Sequence, residues 1–425
     1  MAAEQFYFTE PDSELTSSSS RDPLGFEIIW TQMGERVIPH FSTISVGATN
    51  FGVCLALVWM VDTYLKERDL SVFSDGEQWR HPRDGLLIVA ETLHAYSTIA
   101  LDPQAKNLFG GQKAARRLNN QGAPLISPFD SEALLVRQLG FGVYGRYRRA
   151  LSSMDLLDDD GHLENPEIIE DILRRCPELS GLQQSVFAFF DDIRRADDHR
   201  LSLSQFTGSQ QMAALRRKPT RRHFAPLLIE SADLADNSDE LIAHIYRELD
   251  LPYRGTNHAR DIFGRLSESN VLTDQQRERV RDVCRVEEML LRFEALFDHL
   301  WSGRIDTEGC QPLIADIHGR RTDLQTLALR QGLSDITRTR LRKLADIAES
   351  NDPDEFLRAL VDDYHRDTIA DYRNNSAWLS FDSERIVILN NGYSPPNQPL
   401  NGPSWSRNYY LRSLASFKDE IQEVT

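Results

Sequence analysis

Phe51 to Val61 (FGVCLALVWMV) is apolar on every face of a helix, and this run limits the fold more than any other feature of the chain. A helix that is greasy all round has no side to show to water, so other helices wrap it or a bilayer does. A bilayer takes roughly 20 apolar residues. The run between Asn50 and Asp62 has about half that length, which selects a buried central helix from about Ala48 to Glu67. No membrane association is expected. With 425 residues, two or three packed subdomains follow from the usual size of a domain.

The partners of that helix are legible as further apolar stripes. Asp22-Pro23 reads as a helix start, Asp capping and Pro in the first turn, followed by Leu24, Ile28, Ile29 and Met33 until Pro39. Leu86, Val89, Leu93, Tyr96 and Ile99 predict a helix over 85–100, stopped by Asp102-Pro103. Helices are also expected over 238–249 and, opened by a Thr273/Gln276 capping box, from Leu272 to Trp301. The latter carries Val280, Val283, Met289, Leu290, Phe293, Leu296, Phe297 and Leu300 on one broad face. Asp352-Pro353-Asp354-Glu355 starts another, combining a cap, a first-turn proline and acids at the positive end of the dipole. A last helix is expected from about Trp405 to Ile421.

Ala377–Phe381 and Arg385–Leu389, around Asp382-Ser383-Glu384, read instead as a small β-hairpin, because Ile386, Val387 and Ile388 favour strands. The fold class is therefore mainly α, a multi-helix architecture with one small hairpin near 377–389. Its expected organisation is a disordered tail over 1–20, an N-terminal helical domain over 21–162, a central one over 163–310 and a C-terminal one over 311–425. The loop 391–403 carries most of the local Pro and Gly.

Cys54, Cys176, Cys284 and Cys310 lie far apart, without a CxxC pair or finger-spaced histidines, which argues against disulfide and structural zinc frameworks. A reducing compartment follows. The first 20 residues lack the basic start and apolar core of a signal peptide, so a cytoplasmic protein is expected. A formal charge of -17 disfavours blanket attraction to nucleic acid or anionic lipid. Only Lys66, Lys106, Lys113, Lys218, Lys343 and Lys418 among the 48 basic residues are lysine. The arginine excess fits a GC-rich genome, and it also suits bidentate pairing with carboxylates.

The chemical motifs mostly fail on context. Gly140-Phe141-Gly142-Val143-Tyr144-Gly145 matches GxGxxG, but a dinucleotide fingerprint follows a buried strand, and Glu132–Leu139 reads as a helix capped by Asp130 or Ser131. Tight turns or close helix contact explain the glycines better. His365-Arg366-Asp367 imitates a kinase catalytic loop, yet Tyr372 stands where that loop needs Asn and no DFG follows. Asp158, Asp160, Gly161 and Glu167 fit four places of a calcium loop whose first place is Leu156. Gly110-Gly111-Gln112-Lys113 is too short for a phosphate loop. Asp191-Asp192 and Asp197-Asp198-His199, interleaved with Arg194, Arg195 and Arg200, read as a solvated ion-pair face rather than a metal cluster. His40, His94 and His299 show no ligand spacing. No catalytic residue, cofactor or metal is assigned.

Two basic features remain as nucleic-acid candidates. Arg216, Arg217, Lys218, Arg221 and Arg222 form a run broken by Pro219, which reads as a loop or helix end able to touch phosphates. Residues 131–163 place a short helix, a glycine turn, a helix bearing Arg146, Arg148 and Arg149, and an Asp-Gly turn in the order of a winged helix-turn-helix. Such units dock on proteins as well as DNA.

RDPLGFEIIW near the start, FGVYGRYRR and the closing NYYLRSL together resemble helical accessory proteins encoded beside ATPases and nucleases in bacterial phage-defence or DNA-modification gene clusters. The resemblance implies a non-catalytic subunit of a larger complex, with a catalytic ATPase or nuclease as partner and DNA as a further one. A DNA-binding protein, or an enzyme whose site is assembled from distant residues, are the alternatives.

Overall fold

The computed structural model describes residues 22–69, 81–129, 132–301, 306–373, 377–382, 385–389, 400 and 404–425. The expected tail, the caps Asp130 and Ser131, the hairpin tip Ser383-Glu384 and the loop 391–403 apart from residue 400 lie outside them. The protein is mainly α. In chain order the helices are α1 (Glu27–Val37), α2 (Ala48–Glu67), α3 (Pro82–Leu101), α4 (Gly111–Gln121), α5 (Gln138–Phe141), α6 (Val143–Ser153), α7 (Pro166–Arg174), α8 (Leu182–Arg195), α9 (Ser209–Ala214), α10 (Lys218–Ser231) and α11 (Leu241–Glu248). They continue as α12 (Thr256–Ser267), α13 (Asp274–Leu300), α14 (Thr307–Gly319), α15 (Arg321–Ala328), α16 (Asp335–Ile347), α17 (Pro353–Arg358), α18 (Arg366–Arg373) and α19 (Leu411–Gln422). Among the described residues β1 (Leu125–Ile126) pairs with β2 (Leu201–Ser202) and β3 (Leu379–Asp382) with β4 (Arg385–Ile388), both antiparallel.

The contacts divide the chain into two units interleaved in sequence: 1–38 with 253–409, and 39–252 with 410–425. The expected cuts at 162 and 310 do not coincide with this division. Residue 162 lies within the second unit, because α7 and α8, beyond it, pack on α2; residue 310 lies inside α14. Apolar stripes find covers wherever the chain supplies them, and here the covers are remote in sequence.

In the unit of 39–252 and 410–425, every residue of α2 from Ala48 to Val61 is buried. Helices α3, α6, α7, α8, α10 and α19 cover it. Of the described helices only α2 has the length and apolarity to cross a membrane, and 83% of its apolar window is buried by protein. Phe51 meets Tyr147, Phe41 and Phe417 edge-on, with ring centroids at 4.8, 5.9 and 5.8 Å. Such pairs add about 0.5–1.5 kcal/mol each beyond the area they bury. Helix α3 is buried throughout from Gly85 to Ile99, deeper than its single apolar stripe implied, and takes Glu91, His94, Ser97 and Thr98 inside with it.

The other unit is built on α13, whose 27 residues span about 40 Å at the usual rise. Thr273 and Gln276 form the expected capping box. Helices α1, α12, α14 and α15 pack along it, and Phe293 faces Phe26 edge-on and Phe356 in a stack. Asp352 caps α17 as expected, its carboxylate accepting the Glu355 amide at 2.9 Å. The helix then widens into a π segment, Ala359–His365, before α18.

Four expected elements differ. Asp22 does accept the amides of Phe26 and Glu27, both at 2.8 Å, yet α1 starts only at Glu27 because Gly25 takes a left-handed φ of 62°. Residues 132–137 form turns rather than a helix. The Gln138 side chain accepts the Leu134 amide at 2.8 Å and donates to Thr92 Oγ1 at 3.2 Å, which holds that segment against α3. The winged order 131–163 thus lacks its first helix, and beyond α6 a single bridge joins Leu157 to Leu163. Helix α11 begins at Leu241, after Ser238 has turned back on the Glu240 amide. The last helix begins at Leu411, because the amides of Ser406 and Arg407 are claimed by Glu287 and both Tyr409 and Tyr410 have positive φ.

Candidate functional site

The GFGVYG turn is a helix N-terminus with an internal occupant. Gly142 sits directly before α6, and Glu91 Oε1 accepts the Tyr144 amide at 2.6 Å. The place a pyrophosphate takes in a dinucleotide fold is thus filled by a side chain of α3. A Cβ at Gly142 would overlap the Glu91 carboxylate, and one at Gly145 would overlap the Leu139 and Gly140 carbonyls, so close approach explains these two glycines.

Burial pushes the Glu91 carboxyl up to about 8, against hydrogen bonds from Tyr144, Gln138 and Val143 that lower it. An unfolded glutamate loses its proton near 4.3. Between those values the folded state binds more protons, so its stabilising contribution, complete at low pH, falls as pH rises through about 8. Glu91→Gln is expected to flatten the fall in melting temperature between about pH 4 and pH 8. A fall of the same depth in the variant would show that other groups cause it.

The basic run divides. Its last part is the start of α10, with Arg217 at the cap and Pro219 in the first turn. Arg216 folds inward: Nη1 donates to Asn50 Oδ1 and Nη2 to the Lys106 carbonyl, each at 2.7 Å, while burial pulls its pKa down. Arg221 pairs with Glu423 at 3.0 Å. Arg217, Lys218 and Arg222 are exposed.

Arg216, Arg217, Arg221 and Lys106 line a cleft of about 630 Å³. Asp102, with Asp419 and Glu420 of α19 and Glu423 just beyond its end, lines it too. Glu420 is committed to the start of α2, accepting the Thr49 amide at 2.7 Å and its hydroxyl at 2.6 Å. Lys218 and Arg222 do not line the cleft.

The arginines of α6 lie apart from it. Arg146 donates to the Phe141 carbonyl at 2.9 Å and lies 4.9 Å over the Phe109 ring. Arg148 holds the Asp159 carbonyl and covers Tyr144, and Arg149 is exposed. Two of the three recognition arginines therefore brace their own turn. Sequence reasoning missed Lys106, Thr98 and the α19 acids, which are up to about 320 positions from one another in the chain and carry no local motif.

The other sequence candidates have structural partners. Asp191 binds Arg68 at 2.8 Å and the Tyr64 hydroxyl at 2.8 Å, and Asp192 pairs with Arg195, in keeping with an ion-pair face. Asp158 accepts the His162 amide at 2.8 Å and closes a polar turn. Buried His365 lies 2.7 Å from the Pro23 carbonyl through Nδ1 and accepts the Trp378 amide at 2.8 Å through Nε2. Burial lowers its pKa to about 4, so the ring is neutral and fully used. The four cysteines are free thiols. Among the described residues no group of three or more His, Cys, Asp or Glu is arranged to hold a metal.

Buried charge gathers where residues 406–409 meet α13. Glu287, fully buried, accepts the amides of Ser406 and Arg407 at 2.8 and 3.1 Å, Arg407 Nη1 at 3.1 Å and the Tyr409 hydroxyl at 2.9 Å. Arg407 also pairs with Glu294, whose carboxyl burial pushes up to about 7. All four partners belong to one chain segment, so the cluster is a clamp for residues 406–409. The chain matches no known family model, no curated protein and no solved structure.

Proposed function

We propose that the protein is a non-catalytic accessory or scaffold subunit of a bacterial complex, in the reducing interior of the cell, with a catalytic ATPase or nuclease as its partner in DNA-targeting defence. One observation carries this reading: the carboxylates of Glu91 and Glu287 and the ring of His365, all buried, are each bonded to backbone that they hold in position. A catalytic acid or base must instead reach a reacting atom. The arginine-rich composition suits carboxylate pairing across an interface.

The unit read over 131–163 suits docking on a protein better than reading DNA, because Arg146 and Arg148 are engaged internally. Co-expression with the products of its neighbouring genes, followed by size-exclusion chromatography with light scattering, is expected to give a species well above the 48.6 kDa of one chain. Elution as a lone chain from every such mixture rejects the reading.

A further inference from the structure

We propose that the cleft in the unit of 39–252 and 410–425 binds a small phosphorylated, hydroxyl-bearing ligand, a sugar phosphate or nucleoside monophosphate. The phosphate lies against Lys106, Arg217 and Arg221, and the hydroxyls face the carboxylates of Asp419 and Asp102. This site goes beyond the scaffold reading and does not depend on it.

The cleft's volume, about 630 Å³, lies within the range of small-molecule sites. Its charges sort into those already used and those left over. Arg216 is fixed in the wall by Asn50 and the Lys106 carbonyl, and Glu420 by Thr49. Asp102 uses one oxygen to accept the Gln104 amide at 3.1 Å, leaving the other. Arg221 spends one arm on Glu423, while its buried Nε has no hydrogen-bond partner. The exposed side chains of Arg217, Lys106 and Asp419 form no ion pair among the described residues. Thr98, 4% exposed and part of the lining, has a hydroxyl without a partner. Buried polar atoms left unpaired call for an explanation, and an unfilled water or ligand position supplies one.

The division of charge selects the ligand. Guanidinium forks and an ammonium match the oxygens of a phosphate. Carboxylates accept sugar hydroxyls, as the acidic residue of dinucleotide folds does on a ribose. A ligand carrying both a phosphate and hydroxyl donors satisfies both sets of charges. A duplex brings phosphates alone, and the acids of α19 oppose it.

The test is isothermal titration calorimetry of the full chain with ribose 5-phosphate, AMP, ribose, inorganic phosphate and a duplex DNA oligonucleotide. Saturable binding of ribose 5-phosphate or AMP is expected, weakened at least about tenfold, or 1.4 kcal/mol, by Lys106→Ala with Arg217→Ala. Asp419→Asn is expected to weaken the sugar phosphate and leave inorganic phosphate unchanged. Lys218→Ala with Arg222→Ala, outside the cleft, is expected to change neither. All five side chains are exposed, so the variants should melt like the parent, which circular dichroism checks. Three results overturn the proposal: no saturable binding of ribose 5-phosphate or AMP at millimolar concentration, equal loss in the outside pair, or DNA binding that displaces the small ligands and depends on Lys218 and Arg222. An Asp419→Asn variant that binds sugar phosphate as tightly as the parent overturns the placement of the hydroxyls.

Discussion

Gly142→Ala and Gly145→Ala are each expected to lower the urea midpoint of unfolding sharply, while Gly140→Ala leaves it near the parent value. A methyl at Gly142 would meet the Glu91 carboxylate and, at 2.6 Å, the Gln138 carbonyl; at Gly145 it would meet the backbone of Leu139 and Gly140. Overpacking alone costs about 1–3 kcal/mol. At Gly142 the displaced Glu91 also gives up its bond to the Tyr144 amide, and an unsatisfied buried group adds about 1–3 kcal/mol. Nothing lies within 4 Å of a Cβ at Gly140, so alanine there should be neutral or stabilise by up to about 1 kcal/mol. The order of the three separates the two explanations of the motif, because a dinucleotide turn depends on its first glycine as well. Equal effects at all three positions would remove the packing account.

Arg407→Ala is expected to destabilise the unit of 1–38 and 253–409 by about 3–5 kcal/mol, the usual loss when one partner of a buried ion pair is removed. Glu287 would remain fully buried with Glu294 close by, keeping the two amides and the hydroxyls of Ser406 and Tyr409. In a Glu287→Gln background the same substitution should cost less, since the carbonyl of glutamine still serves the amides and no full charge is stranded. The urea midpoints of the four proteins form a double-mutant cycle. A coupling near zero would mean that Glu287 and Arg407 do not depend on each other.

These effects mark where local reading of the chain ended. Helix α2, the capping box of α13, the Asp352 start and the 379–388 hairpin were legible because each is specified by neighbours in sequence: an unbroken apolar run, a Thr/Gln pair, an Asp-Pro step, three β-branched residues. Helix α3 was underestimated, since Glu91, His94, Ser97 and Thr98 look like a wet face until partners from elsewhere enclose them. The late start of α19 is set by a carboxylate 119 positions earlier than Ser406. The turn at 140–145 showed its glycines but not the residue that requires Gly142, Glu91, which lies 53 positions before Tyr144. Arg216, Arg217 and Arg221 were visible as charge, whereas the cleft they line needs α19 from the far end of the chain.

The interleaving of the two units bears on how the chain is made. Domains ordinarily fold in turn as they leave the ribosome, the N-terminal one first. Here α1 must wait for α13, and the core around α2 lacks Phe417, with the start of α2 lacking Glu420, until about 360 further residues have been synthesised. The apolar surface of α2 therefore stays incompletely covered through most of translation, and nascent chains stalled before residue 410 should be good chaperone clients.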